Sequence, residues 1–220
     1  MARNANQKLK LLYVMRYLLR ESDEAHPLSI QQIIAHLHEQ GIPAERKSLY
    51  DDLDALRQFG IDILSVKHGG SYGYYVGSRD FELPELKLLV DSVQSSKFIT
   101  HKKTLSLIKK IENMASVYEA QLLGRQVYVK NRIKTMNESI YYNVDEIHTG
   151  IAQNKKIRFR YFDYTVSKER HFRHDGDFYE VSPFALTWDD ENYYLVAYDS
   201  AARCITHFRV DKMVDISAAD

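Results

Sequence analysis

Two breaks constrain the middle of the N-terminal half. Gly41 and Pro43 stop one helical pattern and Gly60 stops the next. The run between them is predicted as a short helix from about Ala44 to Phe59. Leu49, Leu53 and Leu56 fall at i, i+4 and i+7, so one side of that helix is apolar. The other side carries Lys47, Ser48, Tyr50 and Asp51, with Arg46 at its start. A basic, hydroxyl-bearing first turn is what a helix needs to meet phosphates and base edges together. The plain alternative is the solvated face of a small bundle, and the flanking segments decide between the two.

Upstream, Leu11, Leu12, Met15, Leu18 and Leu19 repeat at helical spacing from about Gln7 to Arg20. Ser29 with Gln32 forms a capping-box pattern ahead of Ile30, Ile33, Ile34 and Leu37, the apolar face of a second helix. Downstream, Ile61–Val66 and Tyr72–Val76 read as strands joined by a turn at His68–Ser71. Three helices and a hairpin in this order predict a winged helix-turn-helix. Arg46, Lys47, Ser48 and Tyr50 on the helix, and Lys67 and His68 at the wing tip, are the candidate DNA-binding residues. Asp51 and Asp52 oppose that reading, because carboxylates repel a phosphate backbone. Asp51 could accept from a cytosine amino group, and Asp52 is expected to pair inside the domain.

Residues 82 to about 123 read as helical, with one apolar stripe at Leu83, Leu86, Leu89, Val90 and Val93 and another at Leu105, Ile108, Ile111 and Ala115. Lys102, Lys103, Lys109 and Lys110 form its solvated face. The stripes hold more apolar surface than a linker needs, which points to a connector that also dimerises.

Asn143, Val144, Ile147 and Ile151 complete a short helix, and the pattern then switches to period two. Strands are predicted at 157–161, 178–181, 184–188, 192–198 and 204–210. Five short antiparallel strands argue for a small barrel or a strongly bent sheet. Arg158 with Arg160, and His207 with Arg209, are same-face cationic pairs on different strands. Tyr193 and Tyr194 put one aromatic ring on each face of their strand. Arginine forks beside an aromatic plane suit a phosphate and a base, and these six are the candidate ligand-binding residues. The alternative is a barrel rim whose cations pair with Asp211, Asp199 or Glu180.

Charge is uneven along the chain. Residues 81–140 carry ten basic and six acidic side chains, residues 141–220 ten and fourteen, while the chain as a whole is neutral. Neutrality gives no global nucleic-acid signature and leaves only local fields to act. No apolar run approaches the ~18 residues of a membrane span. The lone Cys204 sits in an apolar strand pattern and fits a reducing, cytoplasmic setting. Enzyme chemistry finds little support: no Gly-rich phosphate loop or nucleophile elbow is present. His171 and His174 lack a third ligand, so neither a metal nor a cofactor is expected.

The order of these pieces resembles the WYL-domain transcriptional regulators. Arg46-Lys47-Ser48-Leu49-Tyr50-Asp51-Asp52-Leu53 is similar to the family's N-terminal winged helix, and Lys134–Glu138 leading to Tyr142–Asp145 to the start of its sensor domain. Tyr179–Pro183, Tyr193–Ala197 and Phe208–Lys212 match the sensor motif in order and spacing. The name-giving Trp is Tyr193 here, which shrinks the aromatic plane. The chain stops at Asp220, where many members continue into a C-terminal extension domain.

The resemblance implies an α+β protein with three segments. These are a winged helix-turn-helix over 1–80, a helical connector and dimerisation segment over 81–140, and an SH3- or Sm-like barrel over 141–220. It implies a homodimeric, non-enzymatic regulator that binds double-stranded DNA and senses an anionic effector, a nucleotide or single-stranded nucleic acid. A protein-interaction scaffold built on the winged helix is the alternative, followed by a nucleotide-processing enzyme.

Overall fold

The computed structural model describes residues 7–68, 70–124, 139–167 and 169–219. They fall into two compact units, one holding residues 7–93 and 106–124, the other 94–105 and 139–219. The Lys134–Glu138 motif lies outside the described residues.

In the first unit, helices α1 (Gln7–Glu21), α2 (Ile30–Glu39) and α3 (Arg46–Phe59) enclose one core. Ser29 caps α2 through the predicted capping box with Gln32, and Gly60 ends α3 in the left-handed conformation at φ 111°. The core stripe of α1 is Val14 and Leu18, both fully buried, while Leu12 is exposed. Leu11, Met15 and Leu19 flank that stripe, half-buried against the same core.

The wing is a hairpin of β2 (Ile63–His68) and β3 (Ser71–Val76), each strand running to the turn. A two-residue strand β1 (Leu28–Ser29), not apparent from the sequence pattern, pairs with β3. Gly73 is needed at that pairing, because a Cβ there would lie 2.8 Å from Pro27 Cβ. Arg57 Nε donates to the Ile63 carbonyl, and Ser22 Oγ accepts from the Val76 amide, so both wing strands are tied to helices.

Helices α4 (Leu83–Ser95), α5 (His101–Glu112) and α6 (Val117–Leu123) lie in the stretch read from the sequence as a connector. Leu86, Val90, Ile108, Ala115 and Leu123 form a separate small core, while Leu89 and Leu105 face outward. The helices break around 96–100, so a single continuous helical phase does not carry across.

In the second unit, α7 (Ser139–Ala152) packs on a curled half-barrel of strands β4 (Ile157–Tyr164), β5 (Arg170–Phe172), β6 (Tyr179–Asp189), β7 (Asn192–Asp199), β8 (Cys204–Arg209) and β9 (Met213–Ala218). The order is β5-β4-β6-β7-β8, with β9 on β4, and the architecture is α+β. The strands predicted at 178–181 and 184–188 are one strand, β6. Its register shifts between Pro183 and Ala185, a bulge where the missing proline N–H is tolerated.

Strands β5 and β9 were not foreseen. β9 is hidden by its own irregularity: Asp215 takes φ 56° where the β4 pairing shifts register. Ile157, Phe159, Tyr161, Val181, Leu195, Ala197 and Phe208 face the core. Asn143 is buried on α7 and donates to the Met213 carbonyl at 2.8 Å, fixing the turn into β9. No helix among the described residues is long and apolar enough to cross a membrane.

Candidate nucleic-acid interface and sensor face

The first turn of α3 contains no acidic residue and its N-cap, Glu45, makes no side-chain cap. Arg46 and Lys47 are exposed there. Arg46 Nε donates to the Tyr50 hydroxyl at 3.0 Å, with the guanidinium 5.8 Å from the ring. Tyr50 in turn meets the Tyr74 ring edge-on at 6.4 Å, so the wing strand helps hold the Arg46–Tyr50 pair. Ser48 is placed differently from its neighbours. Its Oγ donates to the Glu45 carbonyl and accepts from Lys10 Nζ, so the hydroxyl is engaged within the domain.

Asp52 lies beside the same lysine, with Lys10 Nζ 2.7 Å from Asp52 Oδ2. One of the two carboxylates opposing a phosphate surface is thereby neutralised, while Asp51 remains exposed. Lys67 is exposed on the wing opposite Tyr72. His68 is described only as backbone, opposite Ser71.

On the half-barrel, the predicted alternation on β4 and β8 holds. Arg158 and Arg160 lie on the face away from the core, and so do His207 and Arg209. The two pairs are not brought together. The Arg158 guanidinium lies 4.7 Å from the Phe178 ring. Arg160 shares that ring at 5.7 Å, lies 5.2 Å from Phe172, and is ion-paired with Asp215.

Arg209 sits elsewhere, opposite Tyr194. Its guanidinium bonds Asp211 at 2.7 Å and Asn192 Oδ1 at 3.1 Å, and the Asp211 carboxylate holds it firmly protonated against the opposing effect of burial. In the ladder Arg158 faces Glu180 on β6, while Tyr194 faces Thr187. His207 is exposed opposite Val196.

Tyr194 shares the face of Arg209. Tyr193 points to the opposite side, where its ring packs 4.6 Å from Trp188 and 5.3 Å from Phe98.

A further cationic group was not anticipated. Arg173 and Lys212 both bind Asp163, each at 2.6 Å, and the Arg173 guanidinium lies 5.2 Å from the buried Tyr161 ring. Hydrogen bonds from Lys212 and Arg173 hold the Asp163 carboxyl below the usual carboxylate range. Burial raises the Tyr161 hydroxyl pKa, and that hydroxyl accepts from the Arg209 amide at 3.2 Å. The signal for Arg173 was absent from the strand pattern, because it lies on a short irregular turn after β5 in which His174 and Asp175 have positive φ.

No curated protein matches the sequence. Among solved structures, the chain is similar to the Proteasome accessory factor B/C (PafBC) of Arthrobacter aurescens at 17% identity and a TM-score of 0.31. The match covers 95% of this chain and 32% of that one, so the chain spans about a third of its length. Residues 142–218 match the family model of the WYL domain. That span takes in most of α7 and all the half-barrel strands, and over it the chain is similar to the WYL domain.

Proposed function

We propose that the chain is a homodimeric, cytoplasmic transcription regulator whose winged helix binds duplex DNA and whose WYL domain senses an anionic ligand. The observation that carries the reading is the first turn of α3. Arg46 and Lys47 stand exposed beside Tyr50, on a helix whose opposite stripe, Leu49, Leu53 and Leu56, is buried. Lys67 on the wing adds a second phosphate contact and His68 a third. Ser48, engaged with Lys10, contributes by fixing the helix. Dimerisation through residues 81–140 or the wing would pair two half-sites.

On the sensor face, Arg158 and Arg160 gather at Phe178 while Arg209 stands opposite Tyr194, and two cationic groups with two separate rings favour an extended single-stranded nucleic acid over a mononucleotide. A strand can touch both cationic groups, stacking on Phe178 and Tyr194, whereas one nucleotide reaches only one. Tyr193 supports the site from behind. The ligand must displace Asp215 and Asp211 from their arginines, so binding is an exchange of charge partners.

The exposed Asp51 favours a second reading, a winged helix that binds protein. Salt-dependent binding to duplex DNA separates the two. The regulator reading expects affinity to fall steeply with salt, and salt-independent or absent binding refutes it. For the sensor, an oligothymidylate should bind more tightly than thymidine monophosphate, and both Arg158→Ala and Arg209→Ala should weaken it.

A further inference from the structure

Segment Gln94–Leu105 interrupts the first unit in sequence yet belongs to the second. Phe98 is held there by two rings of the β6–β7 hairpin, lying 5.0 Å from Trp188 and 5.3 Å from Tyr193, with both contacts edge-to-face. Lys97 Nζ adds an ion pair to Glu191 at 3.3 Å, in the hairpin turn. Trp188 pairs with Tyr193 and Asp189 with Asn192, which leaves Asp190 and Glu191 as a two-residue turn with φ 42° and 62°. Such turns ordinarily use asparagine and glycine, so these two acidic residues need support to stay there. Asn192 supplies it: its Nδ2 donates to the Asp190 carbonyl at 2.8 Å, while its Oδ1 accepts from Arg209 at 3.1 Å.

We propose that this hairpin is a latch in which Asn192 ties the Arg209 guanidinium to the turn that docks Lys97 and Phe98. An anion at Arg209 draws the guanidinium off Asn192. The amide loses one of its two anchors, the strained turn relaxes, and the ring packet around Phe98 opens. The docked segment continues directly into α4 at one end and α5 at the other, so its release alters the stretch of chain joining the two units. The assignment of Arg209 to the effector rests on the sensor reading above. The latch itself is a property of the unliganded chain. The hairpin reaches the segment through the Phe98 ring and a half-exposed ion pair, contacts of the kind that open locally before the whole unfolds.

Trp188 is the only tryptophan in the chain, and its emission reports directly on the packet. The test measures Trp188 fluorescence and amide hydrogen exchange on the full unliganded chain, comparing the parent with Asn192→Ala and Asn192→Asp. Asn192→Asp keeps an acceptor for Arg209 but loses the donor to the Asp190 carbonyl. Both variants should shift Trp188 emission to the red and speed exchange across residues 94–105 roughly tenfold, the loss of about one net hydrogen bond. Amides of residues 157–161 in β4 should keep the parent rate, which shows that the half-barrel is intact. Parent-like exchange across 94–105 and unshifted emission in both variants overturn the latch. So does acceleration that spreads equally into β4. Failure of the sensor reading has a different signature: Arg209→Ala would bind oligothymidylate like the parent while the Asn192 variants still loosen the segment.

Discussion

Lys10 Nζ stands 2.7 Å from Asp52 Oδ2, between side chains only 9% and 16% exposed. The pair joins α1 to α3 beneath the proposed DNA surface, and Ser48 completes it at 3.1 Å from the same ammonium. Removing one member of a largely buried pair leaves the other uncompensated, at a cost of about 3 kcal/mol. Lys10→Met should therefore destabilise the chain by about that amount in denaturant unfolding. Adding Asp52→Leu should recover most of it, because no charge is then stranded. A double variant as unstable as the single one would show that the pair is not the cause.

Acid should weaken the half-barrel through Asp163. Its carboxyl is held below its ordinary value by hydrogen bonds from Lys212 and Arg173, so the ionised form favours the folded state. That contribution is complete above the unfolded pKa of about 3.9 and is lost as pH falls through the lower folded value. Asp163→Asn should reduce stability at pH 7 and flatten the loss of stability below about pH 4. Thermal unfolding measured across that range checks both, and an unchanged acid slope would contradict the assignment.

Asn143 is a single buried amide carrying the turn from β8 into β9. Its Nδ2 donates to the Met213 carbonyl at 2.8 Å, with the Val210 carbonyl at 3.5 Å. Asn143→Leu strands those carbonyls in the core, with an expected cost of about 1–3 kcal/mol in the denaturation midpoint. Faster amide exchange confined to β9 and its turn would localise the effect. A midpoint equal to the parent's would show that the amide has no such role.

The parts legible in the sequence are those where local chemistry and the final packing agree. α3 was readable because Gly41, Pro43 and Gly60 set its limits and its three leucines are all buried. Core-facing strand residues such as Phe159 and Phe208 followed from simple alternation. What stayed hidden depends on partners far along the chain. Lys10 sits in register with Val14 and Leu18, at i, i+4 and i+8, so a lysine in an apolar stripe was the missed sign of a buried carboxylate. Alternation put Arg158 with Arg160, and His207 with Arg209, on one face of each strand, but a strand pattern says nothing about how two strands of a curled sheet are placed. It could not show that Asp215, re-aimed by its positive φ, would reach Arg160. Tyr193 and Tyr194 were equivalent in sequence, and only the pairing of Tyr194 with Arg209 separates them.

The measurement that tests the central claim most directly is the salt dependence of duplex DNA binding by the parent and by Lys47→Ala. Lys47 is exposed at the start of α3 and joins no ion pair among the described residues, so its loss should leave folding intact. If α3 meets the phosphate backbone, the variant binds every duplex more weakly. The slope of log affinity against log salt also falls by about 1, one lost phosphate contact. An affinity and a slope both equal to the parent's would contradict the account.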